Sequence, residues 1–422
     1  MVVAPRPAIT RGGTGVVPSR SVAPADDQHD VVFTFWGGTW TDAHARAMYM
    51  AGDRLLGTLL TRDDIRNLVV ANPFRSTPVQ LVRRLTGRRP TPFFPGDPRR
   101  LLVEPRRLRR HDPTAARALQ RAYAAYDSAL EQAAHHIGAR DPVVVTTNPF
   151  VAGFAPLRWA SRVTFYVWDH WTTGLPLRRW WPAYEAAYEG VRRSSRGVVA
   201  VSQAIVDHIG PTGPHAVVPN GVVPEEWRSP AAPPPWFVGL PSPRILYTGV
   251  LDDRLDVGAV RQVAARFPSG TVVLLGPVGD AQTLEPLRGV PNVRIEPPVG
   301  RAELASVVHA AEACFMPHRR TTVTAPMSPL KLYEYLAGGR PVAATDLPPV
   351  RVIDPRIVTV GEGDNFGDGV ATALARGPLA DDERLAFIDA NSWQRRHDEL
   401  LRLAFRRETG VAAVTSSTGS RS

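Results

Sequence analysis

One local pattern recurs along the chain: a short run of β-branched and other apolar residues, a turn, then a stretch with helical spacing. Before a proline-rich stretch at 223–242 the runs are Val31–Trp36, Leu68–Asn72, Pro142–Thr146, Val163–Trp168 and Gly197–Val201. After it they are Arg244–Thr248, Thr271–Leu275, Val293–Ile295, Ala313–Met316, Val342–Thr345 and Ile357–Val360. Strands that are apolar on both faces must be covered on both faces, and helices between them do this in a parallel sheet. Helices are predicted over 41–56, 114–137, 302–311, 381–389 and 393–405. At 422 residues the chain is too long for one ordinary core. The expected architecture is therefore α/β, with two doubly wound Rossmann-like halves, residues 30–222 and 243–390, joined by a 223–242 linker. Residues 1–29 and 409–422, rich in small residues, are expected to be disordered.

Composition narrows the partners. The formal charge of +10 favours an anionic neighbour: a nucleotide, a phosphorylated lipid or an acidic membrane. Arginine replaces lysine almost completely, which reads as coding bias, so arginine runs are discounted. The single cysteine, Cys314, lies in an apolar run and fits a core residue in a reducing, cytoplasmic setting. The first residues hold only short apolar pieces broken by Pro, Arg and Gly, unlike a signal peptide. No window approaches 18 uninterrupted apolar residues, against a conventional membrane span. No helix-turn-helix, zinc or RNP-like pattern accompanies the charge, so nucleic acid is not the expected partner.

The stretch Thr324–Asp346 carries the most chemistry. Ser328 is a good N-cap and Pro329 suits the first helical position; Gly338 and Gly339 stop the helix. A helix start beside Met327–Lys331 suits an anion, phosphate in particular. Lys331 is the only lysine in the chain, and a cation in the first turn opposes the helix dipole. It faces a phosphate or, alternatively, is a solvated partner of Glu334 one turn on. Glu334 shares its face, so phosphates held at the helix start would leave a ribose diol near its carboxylate.

Ser-Pro-Leu-Lys-Leu-Tyr-Glu-Tyr-Leu-Ala, followed by Gly339, Pro341-Val and Ala344-Thr-Asp346, resembles the donor-binding signature of group 1 (family 4) glycosyltransferases. In particular it resembles the branch containing teichuronic-acid-type cell-wall sugar transferases. The resemblance implies the GT-B arrangement, two doubly wound domains with a cleft between them, and transfer of a sugar from a nucleoside diphosphate sugar to an alcohol. It implies that Glu334 binds the ribose and that the preceding loop holds the diphosphate and sugar. The commoner family pattern has a second Glu eight residues earlier; Pro326 stands there in this chain. The resemblance extends over 31–406. Val218-Pro-Asn-Gly-Val222 matches the approach to the interdomain crossover, Gly249–Asp256 a loop where relatives place phosphate-contacting basic residues, and 391–408 a terminal helix that crosses back to the first domain.

On that basis the donor-binding candidates are Gly38, Arg254, His318, Ser328, Lys331, Leu332 and Glu334, and the catalytic candidates are Asp169, His170 and Lys331. Each has a plainer alternative. Arg254 can pair with Asp252 or Asp256, His318 and Arg319 can face solvent, Asp169 can cap a helix, and His170 can be a half-buried hydrogen-bonding residue. Trp40, in the Gly37–Arg46 segment, either stacks on an acceptor sugar or packs. Asn220-Gly221 suits a tight turn, with positive φ at the glycine. The arginine pairs within 83–110, around Phe93, Phe94, Leu101 and Leu102, fit a peripheral place on an anionic inner membrane face, or an ordinary solvated surface.

Lys331, Arg254 and the helix start can together stabilise a departing diphosphate, so no metal and no permanently bound cofactor is expected. Asp169 or His170 would contact or activate the acceptor. The family resemblance implies retention of anomeric configuration, and a polyprenyl-linked wall glycan fits the charge as acceptor. The competing readings are a natural-product glycosyltransferase, a nucleotide-sugar epimerase, and a non-catalytic sugar-nucleotide or membrane adaptor.

Overall fold

The structure, a computed structural model, describes residues 28–78, 91–108, 111–173 and 175–406. The expectations for 1–27, for the arginines at 83–84, 88–89 and 109–110, and for 407–422 fall outside these residues. Two parallel sheets form, each covered by helices. The first runs β1 (His29–Thr34), β2 (Ile65–Ala71), β3 (Arg100–Val103), β4 (Val143–Thr146), β5 (Arg162–Val167), β6 (Gly197–Ala200) and β7 (His215–Val217), in spatial order β3-β2-β1-β4-β5-β6-β7. The second runs β8 (Arg244–Thr248), β9 (Thr271–Leu275), β10 (Val293–Glu296), β11 (Ala313–Met316), β12 (Val342–Thr345) and β13 (Val358–Val360), in order β10-β9-β8-β11-β12-β13. In each sheet the order reverses once, beside β1 and beside β8. A crevice opens at such a point, outside the carboxyl ends of the strands.

The central strands of each sheet are buried on both faces. Phe33, Val145 and Phe165 pack to one side of the first sheet, while Val32, Val69 and Val144 meet Tyr123, Tyr126 and Leu130 of the helix Ala116–His136 on the other. The terminal helix Trp393–Phe405 contributes Leu400, Leu401 and Ala404 to the first core, although the chain reaches it from the second half. Thr58 and His397 share a 2.6 Å hydrogen bond, and Arg62 and Asp398 pair at 2.7 Å, which fixes this helix on Ala51–Thr61. The two passages between the halves lie side by side. Val222 N–H donates to the Asn391 carbonyl and Trp393 N–H to the Val222 carbonyl, each at 2.9 Å.

Several local expectations change. The helix expected over 41–56 is two, Trp40–Ala45 and Ala51–Thr61, because Ala47 and Met48 take left-handed conformations with φ of 52° and 56°. Such residues cost of order 1–3 kcal/mol each. Asp53 holds the break: it accepts the Met50 N–H, starting a second helix, and binds Arg46 at 2.6 Å. Residues 100–103, read as part of a basic surface run, form the edge strand β3. There the Arg100 guanidinium donates to the carbonyls of Ile65 and Arg66. The proline-rich 223–242 stretch holds short helices Pro224–Trp227 and Pro235–Val238, and buries Trp227 and Phe237 in the second core. Gly221 does not have positive φ; glycine is needed because a Cβ there would lie 2.8 Å from the Asn391 carbonyl.

Candidate active site

At the reversal point of the second sheet, the ends of β8 and β11 and the helix Leu330–Ala337 enclose a cavity of about 430 Å³. Its wall holds Arg254, His318, Ser328, Lys331 and Glu334, five of the sequence-predicted donor residues. The volume lies in the range of small-ligand sites.

Helix position explains the geometry of Lys331 and Glu334. Leu332, Tyr335 and Leu336 fill the core stripe, which turns Lys331 and Glu334 toward the cavity. Lys331 Nζ lies 2.9 Å from the Tyr247 hydroxyl, 3.1 Å from His318 Nε2 and 4.2 Å from the Tyr247 ring centroid. No carboxylate pairs with it among the described residues, so the reading of Lys331 as a solvated partner of Glu334 does not hold. Some of its surface remains open to the cavity, yet loss of water and then the Arg254 charge together lower its pKa to about 7, against the pull of Asp252 and Glu334. His318 is held neutral by burial and by the cations Lys331 and Arg254, and its Nδ1 is buried without a partner. Arg254 binds Asp252 through Nη2 at 2.7 Å and still lines the cavity, so the ion pair and the place in the site coexist.

Close backbone approach shapes the floor. Gly249, with φ of 134°, brings its Cα so near Lys331 that a Cβ would lie 3.0 Å from Nζ. A Cβ on Gly276 would lie 2.1 Å from the Gly249 carbonyl oxygen. Side chains at either position would close the floor of the cavity.

At the other end, Glu334 is 5 % exposed, and burial raises its pKa while Arg301 offsets the rise. Arg301 Nη1 donates to Glu334 Oε1 at 2.7 Å, and Nη2 to Glu226 at 2.6 Å. Sequence reasoning missed Arg301, Tyr247 and Tyr49, which also shape the site. Arg301 had a signal: it opens the helix Arg301–Ala310, and a cation there opposes the dipole just as Lys331 does. Tyr247 is the penultimate residue of the predicted strand Arg244–Thr248. Tyr49 follows the unforeseen break and had no signal.

Three assignments move. Ser328 does not cap the helix; Pro329 takes the cap position without a side-chain bond, and Asn220 N–H and Nδ2 reach Ser328 Oγ and its carbonyl at 3.4 and 2.7 Å. A second tie joins Ser202 Oγ to the Pro326 carbonyl at 2.6 Å, so the loop before the helix is held by the exits of β6 and β7. Leu332 is a core residue, and its N–H is used by the Pro329 carbonyl at 3.1 Å. Gly38 lies outside the cavity, where a Cβ would meet the Arg46 guanidinium at 2.5 Å. Arg319 is exposed.

The first half supplies the facing wall. Trp40 is packed: it is 5 % exposed, its Nε1 donates to the Pro92 carbonyl, and its ring meets Phe93 edge-on at 5.0 Å. Asp169 and His170 follow β5. Asp169 is open to water but surrounded by protein, which raises its pKa, while Arg254 across the cleft partly counters this; its Oδ1 accepts the His170 N–H at 2.8 Å. His170 packs against His208 at 4.4 Å and bonds Thr172. Burial and then His208 lower its pKa to about 4, so it is neutral at pH 7. Among the described residues no group of three or more His, Cys, Asp or Glu is arranged to hold a metal ion, and no helix is long and apolar enough to cross a membrane.

No protein-family model matches the chain. Among solved structures it is similar to the sucrose-phosphate synthase of Thermosynechococcus elongatus, at 14 % identity and TM-score 0.61 over 89 % of this chain and 98 % of that one. It is similar to the α,α-trehalose 6-phosphate synthase of Burkholderia multivorans, at 15 % identity and TM-score 0.60 over 90 % and 98 %. It is also similar to HepE of Anabaena, solved in complex with UDP and glucose, at 14 % identity and TM-score 0.53 over 89 % and 99 %. A Bacillus subtilis (strain 168) protein, provisionally named teichuronic acid biosynthesis glycosyltransferase TuaH, is 30 % identical over 129 residues, 30 % of this chain and 32 % of the relative. The match thus spans about a third of that relative's length. The chain has the GT-B fold, two Rossmann-like units of parallel sheet covered by helices.

Proposed function

We propose that the protein is a glycosyltransferase that moves a sugar from a nucleoside diphosphate sugar to an alcohol, in the cleft between its two halves. The observation that carries this is Lys331, which has no carboxylate partner among the described residues and is set at a helix start in a half-open cavity. A site of this kind has room and charge for a diphosphate and discourages binding of a cation. Departure of the nucleoside diphosphate leaves the electron pair of the broken glycosidic bond on a phosphate oxygen. Lys331, Arg254 and the amide groups at the start of Leu330–Ala337 stabilise that charge, with no metal needed for the task. Glu334, held by Arg301, orients the ribose through its second carboxylate oxygen.

The reaction we propose retains configuration: the departing phosphate oxygen accepts the acceptor's proton on the face it leaves. With the leaving phosphate taking the proton, Asp169 would orient the acceptor hydroxyl and need not serve as the base. His170, neutral and bound to Thr172, would position that segment. The +10 charge and the partial likeness to TuaH support a wall or surface polysaccharide intermediate on a lipid carrier, met at the cytoplasmic face of a membrane. Titration calorimetry of the full chain with UDP-, GDP- and dTDP-sugars, without and with magnesium, tests this reading. Selective, metal-independent binding of one donor that Lys331→Ala abolishes supports it; no binding to the folded protein overturns it.

A further inference from the structure

Tyr49 belongs to the first half but lines the cavity of the second, beside Glu334 and Lys331. The left-handed pair Ala47-Met48 sends the chain out between two helices, and Tyr49 sits at the tip of that excursion, 39 % exposed. Two guanidinium groups fix it. Arg54, of its own half, lies 5.5 Å from the ring centroid and donates through Nε to the Tyr49 carbonyl at 3.0 Å. Arg301, of the other half, lies 5.5 Å from the same centroid while binding Glu334 and Glu226. Among the described residues lining the cavity, Tyr49 is the one Phe, Tyr or Trp.

A nucleoside diphosphate has a polar end and a flat end. The cavity's cations and helix start lie at Lys331 and Arg254, and the Glu334 carboxylate lies one helical turn away. A ligand with its diphosphate at the first and its ribose at the second directs its base onward, toward Arg301 and Tyr49. A planar ring, 39 % exposed with guanidinium groups over it at 5.5 Å, offers its open part as a surface against which a nucleobase packs, without reading which base it is. We propose that Tyr49 is a nucleoside-recognition residue contributed by the first half, its ring forming the surface against which the base of a nucleoside diphosphate packs. The inference rests on the donor-site reading of Glu334 and Lys331. It adds that nucleoside binding uses both halves, so the nucleoside draws them together while the diphosphate is held by the second half alone.

Calorimetry of the full chain with UDP, GDP, dTDP and inorganic pyrophosphate separates the two ends. Tyr49→Ala should weaken the bound nucleoside diphosphates about tenfold and leave pyrophosphate within about twofold, whereas Tyr49→Phe should keep both within about twofold. Thermal unfolding of each variant confirms that it is folded. Unchanged nucleoside diphosphate affinity in Tyr49→Ala, with wild-type binding intact, removes Tyr49 and leaves the donor site standing. An equal loss for pyrophosphate also overturns the proposal, since it marks a general distortion. Wild-type protein that binds none of the four ligands overturns the donor-site reading and this inference together.

Discussion

The two walls of the cleft solve different problems with different materials. The wall from the second half concentrates charge where water is scarce: Lys331 with no counter-carboxylate among the described residues, Arg254 tied to Asp252, Glu334 tied to Arg301, and a neutral His318 beside two basic groups. The first half is largely aromatic at the exits of β1 and β5. Trp36, Trp168 and Trp171 pack edge-on there at 5.5 and 6.2 Å, and its one acid candidate, Asp169, stays open to water. Under the proposed function, a wall of close-set charges would be arranged in advance for one leaving group. An open wall with one adjustable carboxylate suits a reactant that arrives with its own hydroxyl and leaves again.

That contrast breaks or sharpens under substitution. The largest effect belongs to Lys331→Ala, which should lower kcat/KM at least about 100-fold, roughly 3 kcal/mol of lost transition-state stabilisation. Steady-state kinetics checks it, and a loss below tenfold would make the donor wall no more specialised than its opposite. Gly249→Ala comes next: a Cβ at φ of 134°, 3.0 Å from Lys331 Nζ, should weaken donor binding by about 30-fold in calorimetry. Donor affinity should also depend on pH. The empty site holds Lys331 at about 7, and a diphosphate favours its charged form, so the donor should bind about tenfold more weakly at pH 8 than at pH 6. Lys331→Arg should flatten that slope. The smallest effect is assigned to Asp169→Asn, a fall in kcat of less than about tenfold with donor affinity unchanged. A 1,000-fold fall would make Asp169 an obligatory base and erase the contrast.

The same enclosure of charge has a cost in stability. Folding lowers the pKa of Lys331 below its ordinary value of 10.5, so the unfolded chain holds more protons between about pH 7 and that value. This group's penalty is therefore full below pH 7 and eases as pH rises across that window. Lys331→Met should raise the unfolding midpoint by about 1–3 °C at pH 6.5 while abolishing donor binding, which calorimetric scans and titrations check together.

That Lys331 and Glu334 would line one cavity was legible because they are close in sequence. Lys331 and Glu334 share one helix, and a lone lysine at a helix start contradicts the dipole unless a ligand or special setting answers it. The sheets were legible because buried parallel strands read as apolar runs. Tyr49 was not, since its position depends on Asp53 capping a new helix and on two left-handed residues with no glycine to announce them. Ser328 had the right composition for a cap, but Asn220, distant in sequence, took its oxygens. Arg100–Val103 was hidden by charge: an edge strand tolerates arginines that a central strand would not. The acceptor wall was read only as two strand-end residues, because its aromatic residues come from separate elements.

The paired passages at Val222 and Asn391–Trp393 have a mechanical meaning. Two bodies joined at one short bridge, with the other ties between them few and polar, would resist sliding and separation more than turning about that line, as pages do about a spine. Every group on the cleft walls then moves on an arc about a shared axis, with amplitude set by its distance from it. On the proposed roles, the opening angle would be a single coordinate that Tyr49 and Asp169 share, so grip on a nucleoside and access for an acceptor would change in step.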